Sequence, residues 1–164
     1  MTINETRTPA TFPSPGALLA AVGTPIGPSE WFEIDQERID RFADATDDHQ
    51  WIHVDGEAAA AGMFGAPIAH AFLTLSLLTS LATPLLKVDG VAMRLNHGFE
   101  RVRFLQPVPA GSRVRVVGTV ASAARTGSGI RIVQDLAVEI EDAERPAVVA
   151  QWVTLLVPVA NPKD

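Results

Sequence analysis

"IAHAFLTLSLLTSLATPLL", residues Ile68 to Leu86, is apolar on nearly every helical face and meets a proline at Pro84. A helix that is hydrophobic all round belongs inside a protein, and proline stops it because it has no N–H to donate. His70, the Thr and Ser residues and Pro84 interrupt the run too often for a membrane span. The expected element is therefore a long helix buried on all sides. Four segments follow it: "GVAMRLNHGFERVRFLQPV" (90–108), "SRVRVVGTVASAAR" (112–125), "GIRIVQDLAVEIED" (129–142) and "RPAVVAQWVTLLVPV" (145–159). They are rich in Val and Ile, partly alternating, and separated by Gly, Pro and Asp turns, which is the pattern of antiparallel strands. One apolar helix and several long strands imply an α+β domain whose curled antiparallel sheet wraps the helix.

Upstream, "IDQERIDRFADAT" (34–46) places Ile34, Ile39 and Phe42 among acids and arginines, so it reads as an amphipathic helix capped by Asp35 and ending near Thr46. Asp55 caps a second, short helix through "GEAAAAG", closed by Gly62. Between the two lies "DDHQWIHVD" (47–55), read as a polar loop that crowds acids and imidazoles against the mouth of the apolar helix. Residues 1–20, rich in Thr and Pro up to Pro15, are expected to form a mobile N-terminal arm, with a single domain over 21–160.

Of the 164 residues, 47% are hydrophobic and 20% charged, the usage of an ordinary globular protein. A net charge of −6 argues against a nucleic-acid surface, which needs a basic stripe. The absence of cysteine rules out thiol catalysis, disulfides and Cys-ligated metals, and suits a cytoplasmic location. The N-terminus shows neither the basic nor the apolar region of a signal peptide. His49 and His53 have the i, i+4 spacing of a zinc helix. However, "HQWIH" carries Gln where the zinc-protease motif needs its glutamate base, so no metal is expected.

"DDHQWIHVD" and "PIAHA" resemble the signatures of the MaoC-like dehydratases, specifically the (R)-specific enoyl-CoA hydratases of hot-dog fold: Asp48 and His53 fit that family's D-x-x-x-x-H. "VGTPIGPSEWFEIDQERIDRFADAT" is similar to the family's lead-in and "LNHGFERVRFLQPVPAGSRVR" to its second signature. Three positions depart from the pattern. Asp47 and Ala71 stand where the family usually has Gly, and Gly56 where it commonly has Pro.

The resemblance implies reversible syn hydration of a trans-2-enoyl thioester to an (R)-3-hydroxyacyl thioester. It implies a homodimer with joined sheets, and no cofactor beyond the substrate's own CoA. The chemistry needs a base for water, an acid for the α-carbon and donors for the thioester oxygen. Asp48 and His53 are the expected acid–base pair, and the backbone N–H of Ala71 is the expected oxyanion donor at the positive end of the helix dipole.

Trp51, Met63, Phe64 and Phe99 are expected around the acyl chain, with Arg101, Arg103 and Arg125 near the CoA phosphates. His70 and Asn96 are further contacts, each with an ordinary structural hydrogen bond as the alternative reading, and the resemblance implies that Thr79 orients Asp48, with an ordinary back-bond to the preceding helical turn as the favoured alternative. Competing functions are dehydration of a 3-hydroxyacyl group on an acyl carrier protein, a non-catalytic acyl-thioester-binding or partner subunit, and, ranked low, a thioesterase. No contact with nucleic acid or membrane is expected.

Overall fold

The apolar segment forms its helix, α4, over Ala71–Ala82 in the computed structural model, which describes residues 8–160. A 3₁₀ turn at Thr83–Leu85 carries Pro84 and ends it. Leu73, Thr74, Leu77, Leu78 and Ala82 are buried, a spacing that marks one helical stripe. The opposite side is open, with Phe72 68% exposed and Ser76, Thr79 and Ser80 facing out. The expectation of burial on all sides is thus corrected. The serines escape a polarity test because each bonds back to its own helix, Ser76 to the Phe72 carbonyl at 2.7 Å and Ser80 to that of Leu77 at 3.1 Å.

Short strands β1 (Ala10–Phe12), β2 (Pro25–Ile26) and β3 (Phe32–Ile34) precede helix α1 (Gln36–Thr46), the one-turn α2 (Trp51–Val54) and α3 (Gly56–Ala61). After α4 come β4 (Leu86–Val88), β5 (Val91–Phe104), β6 (Ser112–Thr126), β7 (Gly129–Ile140) and β8 (Val148–Pro158). The long strands make an antiparallel sheet in the order β2-β6-β7-β8-β5, with β3 also on β6. β1 pairs in parallel with β4 in a separate ribbon.

Along the inner face Val114 and Val116, Ile130 and Ile132, Leu136 and Val138, and Trp152 and Leu156 follow the period of two and pack on α4 and on one another. Gly118 has no alternative: a Cβ there would lie 2.0 Å from the Asp135 carbonyl oxygen. β5 forms an edge, and its pairing with β8 is broken by three register shifts.

The described part of the expected mobile arm, residues 8–20, is docked; residues 1–7 lie outside the described residues. Leu18, in a 3₁₀ turn at Pro15–Ala20 whose Ala17 amide donates to the Ser14 hydroxyl, is fully buried in the main core. Leu18 and Ala21 give this segment an apolar anchor, and β1 ties it to β4.

Candidate active site

Helix α1 begins as expected, with the Asp35 carboxylate accepting from the Arg38 amide at 2.8 Å. It ends on Asp47 in the left-handed region, φ 56° and ψ 24°. That single residue turns the chain so that the amides of Asp47 and Asp48 both point back to the Ala43 carbonyl. It leaves the Asp48 side chain at the rim of a cleft. The region read as a polar loop contains α2, and His53 lies on it. His53 is buried, and its backbone carbonyl accepts from the Gln36 side-chain Nε2 at 2.8 Å.

The segment leading into α4 receives His53. The Ile68 amide donates to the Ile52 carbonyl at 3.0 Å, and His53 Nδ1 donates to the Ile68 carbonyl at 2.7 Å. A carbonyl can only accept, so the proton on that ring nitrogen is assigned and Nε2 is left for chemistry. Next in line, the Ala69 amide donates to Val108 at 2.8 Å, anchoring the helix entrance to the sheet side. His70 is the N-cap residue of α4 and is 3% exposed. Its Nε2 donates to the Asp48 backbone carbonyl at 2.9 Å, and its ring stacks on that of His53 with centroids 3.8 Å apart.

Together these residues open onto a cleft of about 730 Å³ between the end of α1, α2, the start of α4 and the ends of β5 and β8. Its walls are apolar, from Phe42, Ile52, Phe72, Phe104, Val108 and Val148. A carboxylate oxygen of Asp48 and one ring nitrogen each of His53 and His70 lie within 4.8 Å of one another. Each imidazole already gives one nitrogen to a backbone carbonyl, Nδ1 of His53 to Ile68 and Nε2 of His70 to Asp48, which leaves one ring nitrogen on each without a hydrogen-bond partner among the described residues.

Ala71, the first residue of α4, also lines the cleft, and its N–H belongs to the turn whose amides have no partner within the helix. Among the described non-glycine residues only Asp47 and Asp142 have positive φ, so alanine at position 71 carries no backbone strain.

Several expected contacts lie elsewhere. Trp51 is half-exposed and packs over Gly62, where an added Cβ would touch its ring at 3.0 Å. Met63 and Phe64 project from the turn after α3, and Phe99 from β5; none lines the cleft. Asn96 accepts from the Trp152 indole at 2.9 Å, the structural alternative.

Thr79 sits on the open side of α4, two turns beyond Ala71, and does not reach Asp48; the hydroxyl residues lining the cleft are Thr46 and, buried, Thr74. Arg101 lines a separate groove with Asp135 and Gln151 on the outer face of the sheet, because alternation turns it away from the core. Arg103 bonds its neighbour's carbonyl, Val102, and Arg125 is exposed at the far end of β6. His49 pairs with Asp44 at 2.9 Å and makes no set with His53.

The cleft walls Phe72 and Phe104 were not anticipated. Their rings meet edge to face at 5.8 Å across the helix–strand gap. Phe72 could have been found from its place beside Ala71, whereas nothing local marks Phe104. Arg94, on β5, is desolvated by burial, which pulls its pKa below the usual arginine range, and its Nη2 donates to the Leu86 carbonyl at 2.9 Å.

The family model for the MaoC like domain matches residues 18–141. The chain belongs to the MaoC-like dehydratase family. It is 47% identical over 142 residues to 3-hydroxyacyl-thioester dehydratase Z of Mycobacterium tuberculosis, covering 86% of this chain and 94% of that one. It is 45% identical over 138 residues to nodulation protein N of Rhizobium leguminosarum bv. viciae, covering 82% and 86%.

Among solved structures, the monoamine oxidase regulatory protein of Archaeoglobus superposes with a TM-score of 0.75 at 22% identity, over 94% of this chain and all of that one. The (R)-hydratase from A. caviae involved in PHA biosynthesis superposes at 0.68 and 24%, over 82% and 96%. The fold is the hot-dog fold of the MaoC-like proteins, and the chain is a hydro-lyase, a hydratase or dehydratase. Among the described residues no helix is long and apolar enough to cross a membrane.

Proposed function

We propose that this MaoC-like enzyme is an (R)-specific enoyl-CoA hydratase that reversibly hydrates trans-2-enoyl thioesters to (R)-3-hydroxyacyl thioesters. One observation carries the reading: a carboxylate and an imidazole within 4.8 Å of each other at the mouth of an apolar cleft, beside the N-terminus of a buried-face helix. A water that makes hydrogen bonds of about 2.8 Å to two partners can span them up to about 5.6 Å apart, so one water fits between Asp48 and His53.

In the forward direction Asp48 takes a proton from that water as its oxygen bonds to C3, and the electrons of the double bond move toward the thioester oxygen. The Ala71 N–H, at the positive end of α4, holds the negative charge that gathers there. His53, in its doubly protonated form with the Nδ1–H held by the Ile68 carbonyl, then gives its Nε2 proton to C2 from the same side, which makes the addition syn. Asp48, with its side chain 54% exposed, returns its proton to solvent, and His53 is reprotonated. The steps are redox-neutral and use only these groups, so the reading includes no cofactor.

The thioester carrier taken for this reading is CoA. Asp44, Asp47 and Asp48 cluster at the negative end of α1, and the chain carries −6 overall. The CoA phosphates and an acidic carrier protein are both anionic and both meet this charge, so turnover of crotonyl-CoA against the carrier-bound ester decides between them. The acting form is read as a homodimer. β5 leaves a sheet edge open, with Met93 and Leu95 exposed along it, and a second β5 pairing antiparallel would close it.

The test is loss of enoyl-thioester absorbance with crotonyl-CoA and a longer enoyl-CoA, comparing wild type with Asp48→Asn and His53→Ala. Each change is expected to lower kcat by roughly 10²–10⁴-fold. A folded wild type that binds acyl-CoA without turnover would favour the non-catalytic subunit instead.

A further inference from the structure

Mechanistic roles for Asp48 and His53 leave His70 unexplained, although it is the most buried titratable group at the cleft. An ordinary helix cap would use its side chain on the first amides of α4, and His70 makes no such bond. Its ring instead faces away from its own helix and touches the parts of both other residues that fix their position. Nε2 donates 2.9 Å to the backbone carbonyl of Asp48, and the ring face covers that of His53 at 3.8 Å with a tilt of 24°. Phe42 closes the remaining side at 5.0 Å. The Asp48 carboxylate itself is farther off, at 3.9 Å, so the contact to Asp48 is made through the main chain. Nδ1 is buried and has no partner among the described residues.

We infer that His70 is a positioning residue for the acid–base pair: it holds Asp48 through its peptide and His53 through its ring, in a fixed Nε2–H tautomer. The tautomer follows from the geometry, because a carbonyl lies at Nε2 and nothing accepts at Nδ1. The function of the device follows from the lengths involved. Asp48 stands just beyond the end of α1 and His53 on a helix of a single turn, elements too short to fix a side chain by themselves. Rate falls steeply when reacting groups drift, by up to about 10²-fold for 1 Å.

This inference rests on the hydratase reading for its kinetic arm and stands apart from it for its spectroscopic arm. Two variants separate the two contacts: His70→Phe keeps an aromatic face and removes the donor, and His70→Gln keeps a donor and removes the face. Each is expected to lower kcat on crotonyl-CoA by about 10–100-fold, by the same positioning argument, with KM within about twofold.

Nitrogen-15 spectra of the wild-type imidazoles read the tautomers without any turnover. The expected result is a proton on Nε2 of His70 and on Nδ1 of His53, with the His53 ring signals displaced in His70→Gln. Folded variants that both keep kcat within twofold overturn the inference, as does a wild-type spectrum with the His70 proton on Nδ1. If no enoyl thioester is turned over, the hydratase reading fails and the spectra alone decide: unmoved His53 signals in His70→Gln then count against positioning.

Discussion

Replacing Asp47 by glycine should make the protein more stable. Asp47 closes α1 at φ 56°, where an L-residue is crowded by its own Cβ at about 1–2 kcal/mol, a cost that short polar side chains lessen. It also places a negative charge at the negative end of the helix, worth about 0.3 kcal/mol at an exposed site. Against these gains, glycine loses more freedom on folding, roughly 0.5–1 kcal/mol. The balance favours Asp47→Gly by about 1 kcal/mol, which for a chain of this size raises Tm by about 2–4 °C. Asp47→Ala separates the causes, since it removes the charge and leaves the strain, and should fall about 1 kcal/mol below the glycine variant. Urea unfolding and calorimetry, at one protein concentration because association shifts Tm, provide the measurement. A glycine variant no more stable than wild type, or an alanine variant as stable as the glycine variant, would refute the claim that this turn is held against its conformational preference.

Gly56→Pro should stabilise by about 0.4–1 kcal/mol in the same urea assay, since Gly56 opens α3, an added Cβ there meets nothing within 4 Å, and Asp55 before it is extended. Leu18→Ala should cost about 2–5 kcal/mol and raise protease sensitivity in residues 8–20, as the docked segment loses its buried anchor. Leu95→Lys on the open edge of β5 should shift a dimer to monomer in analytical ultracentrifugation, and a wild type that is already monomeric would remove the joined-sheet arrangement.

Much of this architecture was readable from local chemistry. Asp35 and Asp55 cap the helices assigned to them, and the four Val/Ile segments became β5 to β8 with their ends moved by a few residues. Strands β1 to β3 escaped because two or three residues carry no period. The open side of α4 escaped for a different reason: Phe72 is as apolar as the residues beneath it, and only the position of the sheet decides which of them is covered. The motif brought Asp48 and His53 together correctly in space, yet the arginines and Asn96 depended on strand facing and on a partner far along the chain, Trp152 in the case of Asn96. Register shifts in β5 make such facing unreadable by counting.

The same pairing governs when the protein becomes competent during folding. β6, β7 and β8 follow one another and can zip as a local meander, whereas β5 precedes them in the chain and must find β8, with Phe104 opposite Val148. Such non-local closure is entropically slow. Phe104 and Val148 are also two walls of the cleft, so the chamber is assembled by a long-range step and not by the local meander. A chain stalled with three strands zipped would hold the β6–β7 and β7–β8 ladders and have no place for a substrate. Recovery of activity after dilution from urea should therefore lag behind recovery of strand signal.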